Sequence, residues 1–368
     1  MPTTESSYSA RRLRVAILWP HPRWERIRRR FKDPAQHEEM DGLSYLEESG
    51  IEPVVVDSSP AWLNPMAKRG SLWSGVDPVR FLRLMAAYWK YDLVLSIDSS
   101  SACLFVLCKR LLRLRKPVLV IDPALDPNYR WRMKMHSLVL PHVQEVIVFG
   151  EIQVRFLRER FGSVVQARLI RHRMDTEFYD PDLAPAPGLA ASLVVSVGSD
   201  IGRDYACLVR ASDGLGARVL VHTRKAIAGP LPENVHVQRS WLTEQQLREL
   251  YAAASIVAVP LQRTIHPSGI NALLEAMSMG KAVVVSASPG VTDYVEDGKT
   301  ALVVEPGDPG AMHAALNRLL ADGELRERLG RNARQYCQEQ CAMPVYAKQV
   351  AESIRRCVEA RGGSAVGA

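Results

Sequence analysis

The sequence has no run that approaches the roughly 18 to 20 consecutive apolar residues of a membrane-spanning helix, so no transmembrane segment is expected. The first residues, MPTTESSYSARRLR, lack an apolar signal core, and the expected location is the cytoplasm. Six cysteines (Cys103, Cys108, Cys207, Cys337, Cys341 and Cys357) form no CxxC pair and no interleaved Cys/His set. That spacing argues against a zinc site or a disulfide framework and leaves them as reduced thiols in core or helix positions. No acidic motif of the DxD kind stands at a strand end, so neither a metal nor another cofactor is expected. No recognised nucleic-acid module, low-complexity tract or short internal repeat is present.

What is present is length and positive charge. With 368 residues, 47% of them hydrophobic, the chain is too long for one ordinary domain of about 150 residues, and two are expected. The formal net charge of +7 is uneven: up to Asp182 there are 28 lysines and arginines against 22 acids, leaving 19 against 18 beyond it. The excess is clustered at Arg23 to Lys32, at Lys109 to Lys116 and at Arg130 to Lys134. Such clusters suit solvated helix faces, an anionic membrane surface or a phosphorylated substrate; nucleic acid is the weakest partner, and none is expected. In the first cluster, Trp24, Ile27 and Phe31 recur at helical spacing among the arginines, a pattern able to lie on an anionic bilayer.

Short β-branched runs alternate with helix-length segments. RVAILW, EPVVVD, DLVLSID, PVLVID and EVIVF form a first series; LVVSV, RVLVH, VHV, IVAV, AVVVS and LVVE form a second. Continuous apolar strands of this kind belong to parallel sheets covered on both faces. Between the series, DPDLAPAPGLAA from Asp180 reads as a linker. The expected fold class is therefore α/β, two doubly wound Rossmann-like domains facing across a cleft. The expected boundaries are 1–182, 183–343, and a C-terminal helix with a disordered tail over 344–368 that crosses back to the first domain. Helical periodicity spans Ala311–Leu320, Leu325–Glu339 and Val345–Val358. Ligands of such sheets bind beyond the carboxyl ends of strands, which places the site in the cleft.

The most informative stretch is HPSGINALLEAMSMGKAVVVSASPGVTDYVEDGKTALVVEPGDPGAM, His266 to Met312. Pro267, Ser268 and Gly269 look like a helix start and Gly280 like its stop. Ser268, Asn271 and Glu275 then share a face, while Ile270, Leu273, Leu274 and Met277 turn to the core. A phosphate at the amides near Ser268 and Gly269 would leave Glu275 roughly 10 Å along the helix, within reach of ribose hydroxyls.

Here the sequence resembles a known family. LLEAMSMGKAVVVSASPGVTDYVEDGKTALVVEPGD is similar to the donor-binding segment of GT-B fold glycosyltransferases of family 4, the retaining group 1 enzymes. RLIRHRMDTEFYDP, VVSVGSDIGRDYACLVRA and ENVHVQRSWLTEQQLRELYAAASIVAVP resemble flanking segments of the same family, so about Arg168 to Leu320 is covered. The resemblance implies a ribose contact for Glu275 and a diphosphate contact for Arg203. With Gly198, Ser268, Gly269, Ile270 and Asn271 these make the expected donor site; Arg203, His266 and two first-domain strand-end carboxylates, Asp98 and Asp122, are the catalytic candidates. Two departures matter. Pro267 stands where the family usually has a sugar-binding Glu, leaving His266, Ser268 and Asn271 as candidates. Ser199 follows Gly198 where an Arg is common, with Arg224, Lys225 or Arg263 as possible replacements.

The expected function is retaining, metal-free transfer of a hexose-type sugar from a nucleotide diphosphate sugar, with a UDP-sugar favoured, to a small-molecule or lipid-linked acceptor. A peripheral contact with an anionic membrane at its inner face is part of that expectation. The alternatives are a non-catalytic nucleotide-sugar binding protein and a nucleotide-sugar epimerase on the same fold.

Overall fold

A computed structural model of the chain describes residues 12–20, 27, 40–58, 76–184 and 192–363. The first β-branched runs become β1 (Leu13–Leu18), β2 (Ile51–Val55), β3 (Leu93–Ile97), β4 (Val118–Ile121) and β5 (Glu145–Val148), joined by β6 (Ala167–Leu169). All neighbours pair in parallel, in the order β2-β1-β3-β4-β5-β6. β6 has no apolar run in the sequence because it is a three-residue edge strand, half-buried and paired only with β5. One face of this sheet carries α1 (Pro78–Ala86), α2 (Ser99–Leu111), α3 (Arg130–Val139) and α4 (Glu151–Phe161), whose apolar sides share a core with Val94, Val120 and Val148.

The second series gives β7 (Leu193–Val197), α5 (Tyr205–Ala211), β8 (Arg218–His222), β9 (Val235–Gln238), α6 (Glu244–Ala253), β10 (Ile256–Val259), α7 (Ile270–Ser278), β11 (Ala282–Ser286) and β12 (Leu302–Val304). The strand order is β12-β11-β10-β7-β8-β9, again parallel throughout. Then follow α8 (Pro309–Ala321), α9 (Gly323–Tyr336), a π turn at Cys337–Cys341 and α10 (Met343–Gly363). Five of the six cysteines are buried, Cys108 is half-buried, and all are free thiols.

The chain crosses between domains twice, and the crossings touch. Met174 donates its amide to Cys341 O at 2.7 Å, and Met343 donates to Met174 O at 3.2 Å. Met174, Phe178 and Tyr179, ahead of the expected boundary at Asp182, already pack in the second domain's core with Ala184. Asp180, the first residue of the expected linker, is pinned by Arg334 at 2.8 Å; residues 185–191 lie outside the described residues. α10 returns to the first domain, where Tyr346, Val350, Ile354 and Cys357 bury against Val15, Ile17 and Leu43 on the face opposite α1 to α4. Of the arginine cluster at Arg23 to Lys32 only Ile27 is described, and it is buried; the expected tail beyond Gly363 also lies outside the described residues. No helix among the described residues is long and apolar enough to cross a membrane.

Candidate functional site

The site at the carboxyl edge of the second sheet begins where β7 ends. Gly198 has φ +139, and a Cβ there would lie 2.4 Å from Nη2 of Arg203, so only glycine admits the guanidinium. Arg203 is buried, 4% exposed. Its Nε donates to Asp200 Oδ2 at 2.7 Å, while its Nη1 is buried with no hydrogen-bond partner among the described residues. Lys225 clasps the loop through Ile201 O at 3.1 Å and Arg203 O at 3.3 Å, and Ser199 Oγ accepts from the Arg224 amide at 2.9 Å. Lys225 thus holds the loop's backbone, and Arg224 stacks on the exposed Trp241 ring at 4.4 Å. Arg263 pairs with Glu305 at 2.6 Å.

The second part of the site is the entry to α7. The helix starts at Ile270, not at the expected Pro267, because its N-cap Gly269 takes the left-handed conformation at φ 78. Ser268 is consequently off the helix face. It is 1% exposed, its amide is spent on His266 O at 2.7 Å, and its hydroxyl meets His266 Nδ1 at 3.2 Å. The expected polar stripe therefore shortens to Asn271 and Glu275, one helical turn apart. Among the described residues no side chain caps α7; the Ile270 amide is spent on Pro267 O at 3.2 Å, which leaves the amides of Asn271 and Ala272 and the positive dipole end to an anion. A Cβ on Gly269 would sit 3.4 Å from Arg203 Cζ, which puts the guanidinium beside that end. Glu275, half-buried, accepts from the Tyr251 hydroxyl at 2.8 Å. Burial, and then the charge of Glu275, hold the Tyr251 and Tyr179 phenols well above their ordinary range. Ile270 is buried, as its place on the apolar face requires.

The two first-domain candidates differ in what engages them. Asp98 sits at φ 92 and caps α2, accepting from the Ser101 amide at 2.9 Å and from Ser100 Oγ at 2.8 Å. Burial pushes its carboxyl up against the opposing pull of those bonds and of Arg80. Asp122 is at φ 46 after β4, with a buried Oδ1 that has no hydrogen-bond partner among the described residues. Among the described residues neither shares a hydrogen bond or ion pair with the second-domain set. One contact that spans the domains is a pairing the sequence did not single out: His172 Nε2 meets Asn271 Oδ1 at 2.8 Å, and Arg173 beside it pairs with Asp41 at 2.6 Å. Asp41 also accepts from Trp19 Nε1 at 3.0 Å. His172 and Arg173 lie within RLIRHRMDTEFYDP, so their segment was visible in the sequence, whereas nothing marked Asp41. Burial, and then Arg173, push His172 down to about 3, so it is a neutral ring. A groove of about 440 Å³ lined by Asp293, Glu296, Lys299, Asn332 and Glu339 contains none of these residues. Among the described residues no group of three or more His, Cys, Asp or Glu is arranged to hold a metal ion.

Residues 224–336 match the family model of the glycosyl transferases group 1. Alpha-maltose-1-phosphate synthase of Mycobacterium tuberculosis (strain H37Rv) is 34% identical over 121 residues, 31% of this chain and 30% of that protein. The chain thus spans about 30% of the length of such curated relatives. Sucrose-phosphate synthase of Thermosynechococcus elongatus superposes with a TM-score of 0.70 at 18% identity, over 95% of this chain and 100% of that one. HepE of Anabaena, solved in complex with UDP and glucose, gives a TM-score of 0.63 at 18% identity, over 85% of this chain and 88% of its own. At these identities the structural likeness is one of fold. Asn271 and Glu275 lie inside the family match; Arg203 lies before it.

Proposed function

We propose that this chain, whose residues 224–336 belong to the group 1 glycosyl transferases and whose two sheets have the GT-B arrangement, is a glycosyltransferase that takes its sugar from a nucleotide diphosphate donor. The observation that carries the reading is the start of α7, which no described side chain caps, beside the buried Arg203, whose Nη1 has no hydrogen-bond partner among the described residues, with Glu275 on the same helix. A diphosphate between them meets backbone N–H donors and a guanidinium, and a ribose further along meets the carboxylate. As the glycosidic bond breaks, charge grows on the leaving diphosphate. Fixed donors aimed at that charge lower the barrier, and they do so without a metal. Retention of configuration follows from the family resemblance, with the departing phosphate taking the acceptor proton. A UDP-sugar is the favoured donor, a choice supported by HepE, which was solved with UDP and glucose.

Calorimetric titration with UDP, GDP, ADP and dTDP tests the donor site, and one of the four should bind clearly tighter than the rest. Turnover of the matching radiolabelled sugar donor, with hydrolysis, epimer and transfer products separated, tests the chemistry. Absence of binding to all four overturns the donor reading. Binding without turnover across acceptors favours a non-catalytic nucleotide-sugar binder. That second reading has its own support: Pro267 is buried in place of the usual Glu, and the Ser199 hydroxyl is already engaged by the Arg224 amide.

A further inference from the structure

We infer that the layer formed by α1, α2 and α3 is a docking face for an anionic lipid bilayer. The inference rests on the surface of the first domain alone and not on the donor site. Three stretches make the layer, and none contains an acid: between Asp77 and Asp92, between Asp98 and Asp122, and between Asp126 and Glu145 every charged side chain is basic. The aspartates that open these stretches are drawn into local turns. Asp77 accepts from the Arg80 amide at 3.0 Å, Asp98 caps α2, and Asp126 accepts from the Asn128 amide at 3.0 Å. Arg83, Lys90, Arg110, Arg113, Arg130 and Lys134 are exposed, and none forms an ion pair among the described residues. On the opposite face two arginines are paired instead: Arg356 of α10 reaches Glu145 at 2.8 Å, and Arg168 of β6 reaches Glu352 of α10 at 3.1 Å.

Charge alone would fit any polyanion; the apolar residues select the partner. Most of the exposed large hydrophobic residues among the described residues fall in this one layer, including Trp89 at 84%, Leu111 at 81% and Trp131 at 66% exposure, with Leu82, Leu112 and Leu138. Exposed indoles and leucines interleaved with unpaired cations match a headgroup interface, where the rings and aliphatic chains enter the acyl boundary and the cations meet phosphates. Lys134 lies over the Trp131 ring at 4.6 Å, which keeps the cation and the insertion residue together. Beneath the layer the core is closed by Leu84, Tyr88, Phe105 and Val139, so docking requires no unfolding.

The test is cosedimentation of the full chain with vesicles of phosphatidylcholine alone and of equimolar phosphatidylcholine and phosphatidylglycerol, at low and high salt. The chain should sediment with the anionic vesicles at low salt, and the bound fraction should drop as salt rises. Arg110→Glu with Arg113→Glu should lower the partition coefficient at least about tenfold, since each cation near such a surface contributes on the order of 1 kcal/mol. Trp89→Ser with Trp131→Ser should remove the fraction that resists salt. These side chains are exposed, and circular dichroism with the unfolding midpoint checks that each variant stays folded. A wild-type chain that remains in the supernatant at low salt overturns the inference, as do variants that sediment like the parent. Binding to single-stranded RNA without binding to anionic vesicles assigns the layer to a nucleic acid and likewise overturns it.

Discussion

Replacing Glu275 by glutamine keeps the shape of the side chain, and its bond to Tyr251, while removing the charge that the proposed function offers to two ribose hydroxyls. Nucleotide affinity should therefore fall by roughly 1.5 to 3 kcal/mol, the range for hydrogen bonds to charged groups. Calorimetry on a folded variant checks this, and unchanged affinity would detach Glu275 from the ligand. Arg203 makes a different prediction, because under the proposed function its guanidinium would face charge that grows during the reaction. Arg203→Ala should lower turnover at saturating donor by about a hundredfold, as for other donors to developing negative charge. A variant with normal turnover but weaker binding would restrict Arg203 to ground-state binding. Both residues were legible in the sequence through the motifs around them. The burial of Arg203 was not, since it depends on Gly198 and Gly269 leaving room on either side.

At the scale of elements, the entry to α7 turns on one glycine. The HPSG sequence reads as a serine-capped helix start, yet Gly269 breaks the expected phase by taking φ 78, so that Ser268 turns inward and the helix begins uncapped. Local pattern could not foresee this, because a Ser before an apolar-periodic run is the usual N-cap signal. Gly269→Ala tests the geometry. A Cβ there would lie 2.8 Å from Leu261 Cδ2 and 3.0 Å from Val259 Cγ1, in a backbone conformation that L side chains avoid. Left-handed strain and overpacking together should destabilise the fold by about 2 to 5 kcal/mol, read from the urea midpoint. A variant as stable as the parent would mean that the turn relaxes to a capped start.

At the scale of the whole molecule, the strap from Ile170 to Met174 sets how the domains meet. Tyr294, from the second domain, donates its hydroxyl to Phe149 O at 2.5 Å and accepts the His172 amide at 2.9 Å. Asp293 accepts from the Glu151 amide at the start of α4 at 2.7 Å. The same strap carries a pH signature. His172 is pushed down to about 3 and His136, in the first domain, to about 4, burial being the main cause in both. Because the unfolded chain binds these protons near the ordinary value of about 6.5 and the folded chain does not, their contribution is complete above that pH. It is lost as pH falls toward 4, at up to about 1.4 kcal/mol per pH unit for each ring. His172→Gln retains a side-chain partner for Asn271 and should flatten the stability profile between pH 6 and 4 by about one proton. Superimposable profiles for parent and variant would show that the ring titrates normally.

The sequence by itself determined the two parallel sheets, because continuous β-branched runs separated by helix-length segments bury only between two helical layers. It also marked the stretch from His266 to Met312 by its resemblance to a known family, and residues 224–336 match that family's model. Only the tertiary structure decided which atoms remain available. Asp98 is taken up by the α2 cap and Ser268 by His266, while among the described residues Arg203 Nη1 has no partner and the α7 start beside it has no side-chain cap. The domain contact through His172, Asn271, Arg173 and Asp41 joins residues as much as 132 positions apart. Such pairings are set by how two finished domains pack, and no local period or composition encodes them.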